Sequence, residues 1–187
     1  MNKQIYILTA LTIAGAALPV TAAPKAKLPC VIYDEAGRPD PYAASGYMGN
    51  TGAIHLVDAC RTQPHSGATC LQVTFAAKDW GGVVWQSPAN DWGTKPGGFN
   101  LTGAHKLSFW ARGAHGGEKV DFKFGLLGAN VKFHDSASGE VKTTLTPVWK
   151  QYSINLAGKD LSQIKTGFVF VVAGSPTTFF LDDIKYQ

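Results

Sequence analysis

Leu107-Ser108-Phe109-Trp110-Ala111-Arg112 and, after a glycine-rich break, Lys119-Val120-Asp121-Phe122-Lys123-Phe124-Gly125-Leu126-Leu127 carry the clearest periodicity in the chain. Apolar and polar side chains alternate with period two, which is the pattern of strands with one face on a core. In the first run Leu107, Phe109 and Ala111 share one face, and Ser108, Trp110 and Arg112 share the other. In the second, Val120, Phe122, Phe124 and Leu126 point inward, and Asp121 and Lys123 point outward. No segment sustains a 3.6-residue period, so helices are expected to be nearly absent.

The same reading extends outward in both directions. Upstream, residues 80–112 hold four of the five tryptophans among Gly, Pro and Asn clusters, a mixture of short strands and wide loops. Further strands are expected at 30–35, 53–59, 69–76, 130–134, 140–145, 149–156, 168–172 and 177–186. Residues 45–52, with three glycines, read as a tight turn, and 160–164 as one helical turn. The run Phe168-Val169-Phe170-Val171-Val172 is apolar on both faces, as in a central strand covered on each side. Some nine or ten short strands with turn chemistry between them predict an all-β sandwich of two antiparallel sheets.

An indole on the polar face of a strand beside an arginine suits stacking on a sugar ring. The alternative is that a loop folds over that face and encloses Trp110 in a second small core. Outward positions on three strands, Trp110 and Arg112, Asp121 and Lys123, and Trp149, Gln151 and Ser153, would form one aromatic and polar surface if these strands are neighbours. Trp85 and Trp92, like Trp80, join the candidates through their loop-rich setting.

The first residues, Lys3 followed by an uncharged apolar run from Ile5 to Val20 and then Thr21-Ala22-Ala23, describe a secretory signal peptide ending at Ala22. The run is short for a transmembrane helix and no second span follows. Residues 23–29 read as a flexible lead-in and 30–187 as one domain, secreted or periplasmic and expected to be monomeric. Of three cysteines, Cys60 and Cys70 flank a turn-rich connection and are expected to form a disulfide, worth roughly 3 kcal/mol. Cys30 is then free, or paired between chains, or an alternative partner for either. A formal charge of +4 with scattered lysines does not point to nucleic acid, and leaves acidic polysaccharides open as ligands.

Beyond these patterns, Trp149-Lys150-Gln151-Tyr152-Ser153-Ile154-Asn155-Leu156, then Asp160-Leu161-Ser162-Gln163-Ile164, Gly167-Phe168-Val169-Phe170 and the closing Phe180-Leu181-Asp182-Asp183-Ile184 resemble the C-terminal half of jelly-roll carbohydrate-binding modules with a galactose-binding-like fold. The resemblance covers residues 30–187 and implies a non-catalytic domain that binds a polysaccharide or oligosaccharide. It also implies one structural calcium ion held by Asp34 and Glu35, the loop around Asn50, and Asp182, hard oxygen donors suited to Ca²⁺. The strand acids that a jelly-roll glycosidase needs, two carboxylates on one cleft, are not apparent: the adjacent pairs Asp34-Glu35 and Asp182-Asp183 are expected to point to opposite faces. The five histidines show no metal-ligand spacing. A lyase or hydrolase on the same fold, or an adhesion or protein-interaction module, is the alternative reading.

Overall fold

Eleven strands and one short 3₁₀ turn (Thr51–Ala53) account for the secondary structure of residues 22–187, which the computed structural model describes. In chain order these are β1 (Cys30–Tyr33), β2 (Ala43–Gly49), β3 (Ile54–Cys60), β4 (Cys70–Phe75), β5 (Trp80–Gln86), β6 (Lys106–Gly113), β7 (Lys119–Phe124), β8 (Gly139–Thr144), β9 (Lys150–Asn155), β10 (Thr166–Ala173) and β11 (Thr177–Tyr186). All strand pairings are antiparallel. One sheet runs β3-β4-β11-β6-β9, with β1 continuing the line of β4 along β11; the other runs β2-β5-β10-β7-β8. The two pack as a jelly-roll sandwich. The expected signal peptide lies almost wholly outside the described residues. Among the described residues no helix is long and apolar enough to cross a membrane.

Alternation places the core as expected. Leu107, Phe109 and Ala111 of β6 are fully buried and, with Phe179 of the neighbouring β11, face Val120, Phe122 and Phe124 of β7 and Phe168 and Phe170 of β10. Ring pairs such as Phe109 with Phe122, 4.6 Å apart, and Phe170 with Phe179, 5.3 Å apart, tie one sheet to the other. Such offset and edge contacts add roughly 1 kcal/mol each beyond the area they bury.

Five local expectations are corrected. Residues 45–52 are not a turn: Ala43–Gly49 is the edge strand β2, paired with β5, and only Thr51–Ala53 turns. Its glycines hide the strand because the neighbouring sheet needs them small: a Cβ on Gly46 would meet the side chain of Gln86 at 2.8 Å. Residues 130–134 form turns and bends instead of a strand, and 160–164 are irregular instead of helical, with a bend at Ser162 and Ile164 bridging Phe99. Leu126 lies past the end of β7 and is exposed. The expected Cys60–Cys70 bridge is not formed: all three cysteines are buried thiols. Cys60 and Cys70 do stand directly opposite each other across β3 and β4, and burial pushes the Cys70 thiol up to about 12 and the Cys30 thiol up to about 11.

Candidate functional site

The surface expected from parity divides between the two sheets. Trp110, Arg112, Trp149 and Gln151 lie on or beside β6 and β9, which pair directly with Trp110 opposite Gln151. Asp121 and Lys123 lie on β7, which belongs to the other sheet and pairs with β10 and β8. Outward faces of two packed sheets look in opposite directions, so the three strands do not share a surface.

On the six-stranded sheet the outward face is covered by the connection between β3 and β4. The His65 ring stacks on Trp110, with centroids 3.8 Å apart and planes at 17°, and meets Trp149 edge-on at 5.9 Å. The Trp149 indole N–H donates to Gln63 O at 2.9 Å and Arg112 donates to Thr62 O at 2.8 Å. Arg112 is buried, its guanidinium 3.8 Å over the Phe180 ring. Cys60, Cys70 and Phe180 complete a second small core. Trp110 and Trp149 therefore hold a loop in place. The sequence signal for this was His65, an aromatic ring in a turn-rich connection long enough to fold back over its sheet.

Trp85 is the second displaced candidate. It alternates into the interior of β5, is buried, and meets Phe168 and Phe170 edge-on at 5.4 and 6.2 Å.

The outward face of the five-stranded sheet is different in character. Along β5, Trp80, Gly82, Val84 and Gln86 point out, since Val83 and Trp85 belong to the core and a Cβ on Gly82 would meet Met48 and Val171. The cross-strand register sets Met48, Gly82, Val171, Asp121 and Lys142 in one row and Gly46, Val84, Val169, Lys123 and Glu140 in the next. Small and aliphatic side chains thus occupy the β2, β5 and β10 side. Two ion pairs occupy the β7 and β8 side, Lys123 with Glu140 at 2.9 Å and Lys142 with Asp121 at 3.8 Å.

Trp80 stands at one end of this face, 48% exposed, and Trp92 is 40% exposed. The loop carrying Trp92 returns over the other end of the sheet. Gln86, folded over Gly46, donates to Asp91 O at 2.9 Å, and Asn90 N donates to Ser45 Oγ at 2.9 Å. Trp80 to Gln86 spans about 20 Å along one strand, but Val84, Val169 and Gln86 are fully buried, so the accessible floor lies at the Trp80 end, beside the partly exposed Met48 and Val171.

The expected cation ligands are also divided. Asn50, at the end of β2, donates to Asp79 at 3.0 Å and takes no part. Asp34, Glu35, Arg38, Ser66, Gly67 and Asp183 line one shallow depression. A bulge in β11 after Asp182, with Asp183 at φ 50°, breaks the alternation that would have separated the two acids. Asp182 accepts from His65 N at 3.0 Å and Ser66 N at 3.2 Å, and the His65 ring reaches Asp183 at 2.9 Å. Burial pushes the Asp182 carboxyl up to about 6 against these backbone donors. Glu35 is already occupied by Ala68 N at 2.9 Å and by Thr69. Asp34 pairs with Arg38 through one oxygen, and its other oxygen is buried without a partner.

No family model and no curated protein sequence matches the chain. Solved structures do. A family 30 carbohydrate-binding module superposes with a TM-score of 0.60 at 17% identity, covering 86% of this chain and 99% of that one. The family 11 module of a cellulosomal cellulase of Clostridium thermocellum gives 0.56 at 16% identity, covering 89% and 95%. The Clostridium thermocellum family 11 module in complex with a β-1,3-1,4-mixed-linked tetrasaccharide gives 0.52 at 16% identity, covering 82% and 92%. The described chain has the jelly-roll β-sandwich fold of carbohydrate-binding modules.

Proposed function

We propose that this protein is a secreted, non-catalytic carbohydrate-binding domain whose ligand lies along the outward face of the five-stranded sheet, between Trp80 and Trp92. One observation carries the reading: two indoles remain about half exposed at the two ends of a sheet face otherwise built from small side chains, with hydrogen-bonding charges along one flank. Sugar rings present one apolar face and a rim of hydroxyls, which matches indole platforms flanked by Asp121 and Lys123. The flat floor of Gly82 and Val171 lets a chain approach the backbone closely. The tetrasaccharide bound by the family 11 module is consistent with a ligand of this class. Retention of the purified chain on a panel of immobilised polysaccharides tests the proposal: retention of the wild type and its loss in Trp80→Ala or Trp92→Ala supports it, and a folded protein retained by none refutes it.

A structural calcium ion at the other sheet is a separate part of the proposal. Asp34, Asp182 and Asp183 would hold it, and the partnerless Asp34 oxygen supports a cation there. Its role would be to neutralise acids that the bulge in β11 has brought together, at a distance from the glycan face.

A further inference from the structure

We propose that the buried Lys165–Asp91 ion pair is the positioning device that fixes Trp92 as a binding platform, an inference that rests on reading the five-stranded sheet as the glycan face. Both side chains are 1% exposed. Asp91 gathers the residues that follow it. It accepts from Gly93 N at 3.2 Å, Thr94 N at 3.1 Å, Thr94 Oγ1 at 2.6 Å and Lys95 N at 3.1 Å, as well as from the Lys165 ammonium. Burial opposes ionisation of Asp91, yet Lys165 and Thr94 hold its carboxyl well below the usual range, so it is the charged form that organises the loop. Lys165 binds the same loop twice, since its ammonium also donates to Lys95 O at 2.6 Å, and it sits 5.7 Å over the Phe133 ring.

Trp92 is the one residue of 91–95 that has no bond in this web and the one large hydrophobic side chain there turned to solvent. Its backbone is held on both sides. Before it, Asp91 O is tied to Gln86; after it, Phe133 N donates to Gly93 O at 3.0 Å, and Gly93 at φ 91° makes the reversal. A fully buried ion pair is a poor source of net stability, because desolvation offsets most of its Coulomb attraction, and apolar side chains of similar volume often serve as well. What the pair does supply is direction: a compact ammonium satisfied only when Asp91 and Lys95 O are both in place. A loop held in one conformation before the ligand arrives loses no ordering entropy on binding. Lys165 and Asp91 touch no ligand in this scheme; they act through Trp92.

The test uses the full chain labelled with 5-fluorotryptophan, the Trp92 fluorine resonance being assigned by its loss in Trp92→Phe. Two variants are compared, Lys165→Met and the double variant Asp91→Asn with Lys165→Met, the second leaving no charge stranded if the first fails to fold. The expected result is that the Trp92 resonance shifts and broadens while Trp80, Trp85, Trp110 and Trp149 keep theirs. Affinity for a polysaccharide that retains the wild type falls about tenfold, the scale of an ordering cost moved into the binding step. In a Trp92→Ala background the Lys165 substitution then has no further effect on affinity. An unchanged Trp92 resonance in the double variant, or an equal affinity loss with and without Trp92, overturns the proposal. Failure of the glycan reading looks different: Trp92→Ala by itself binds like the wild type, and the fluorine signal still decides whether the pair fixes the loop.

Discussion

Replacing Trp92 by alanine is the perturbation that separates the two sheets as binding faces. Trp92 is 40% exposed, and of the roughly 250 Å² that a tryptophan side chain offers, about 100 Å² is therefore open to a ligand. At about 25 cal/mol per Å² its complete coverage is worth about 2.5 kcal/mol, and coverage of one ring face about half that. The corresponding loss of affinity is roughly eightfold to seventyfold. The remaining ~150 Å² already packs against the protein, which caps the stability cost at about 4 kcal/mol. Binding is therefore measured by calorimetry or affinity electrophoresis at a temperature where melting curves show both proteins folded. Trp110→Ala, on the opposite side of the sandwich, serves as the control. If Trp92→Ala binds within twofold of the wild type while Trp110→Ala loses binding, the assignment of the glycan face is wrong and the six-stranded sheet is the site.

Trp110→Ala is expected to leave glycan affinity unchanged and to lower stability by about 2 kcal/mol, since it removes the His65 stack and opens part of the small second core; chemical denaturation with a binding assay on the same sample checks both. Adding calcium to chelator-treated protein is expected to raise the melting temperature, and Asp34→Ala to abolish that rise without altering retention on glycans; a melting temperature indifferent to calcium and EDTA refutes the cation site. Cys30, Cys60 and Cys70 are thiols in this structure, so the chain is expected to titrate three thiols under denaturing conditions with and without reduction; one thiol without reduction would show that Cys60 and Cys70, which face each other across paired strands, are bridged. Gly82→Val is expected to unfold the domain or cost several kcal/mol, because its Cβ would come 2.5 Å from Phe170 O; a well-folded variant would contradict the close packing of β5 on β10.

Much of this architecture was legible before any coordinates because period-two alternation is a local property. Leu107, Phe109 and Ala111, and likewise Val120, Phe122 and Phe124, were assigned to the core from spacing alone and are buried there. The strand β2 was not legible: Gly46 and Gly49 look like turn residues, and only the Gln86 side chain and the Trp80 ring packed against them explain why glycine is needed in a strand. The same limit governs Asp182 and Asp183. Strand parity separates neighbouring side chains, and a bulge created by the pairing of β11 with β6 brings them back together.

By itself, the order of residues determined which side of each strand faces the core, because a side chain's direction depends only on its own backbone. It named Trp110, Arg112, Asp121 and Lys123 as outward-facing candidates and Trp92 as a candidate through its loop-rich setting. Only the tertiary structure decided which sheet each strand joins and what lies above each outward face. Those depend on contacts between residues far apart in the chain: β7 pairs with β10 and not with β6, and His65 lies across Trp110 while Asp91 and Lys165 hold Trp92 open to solvent.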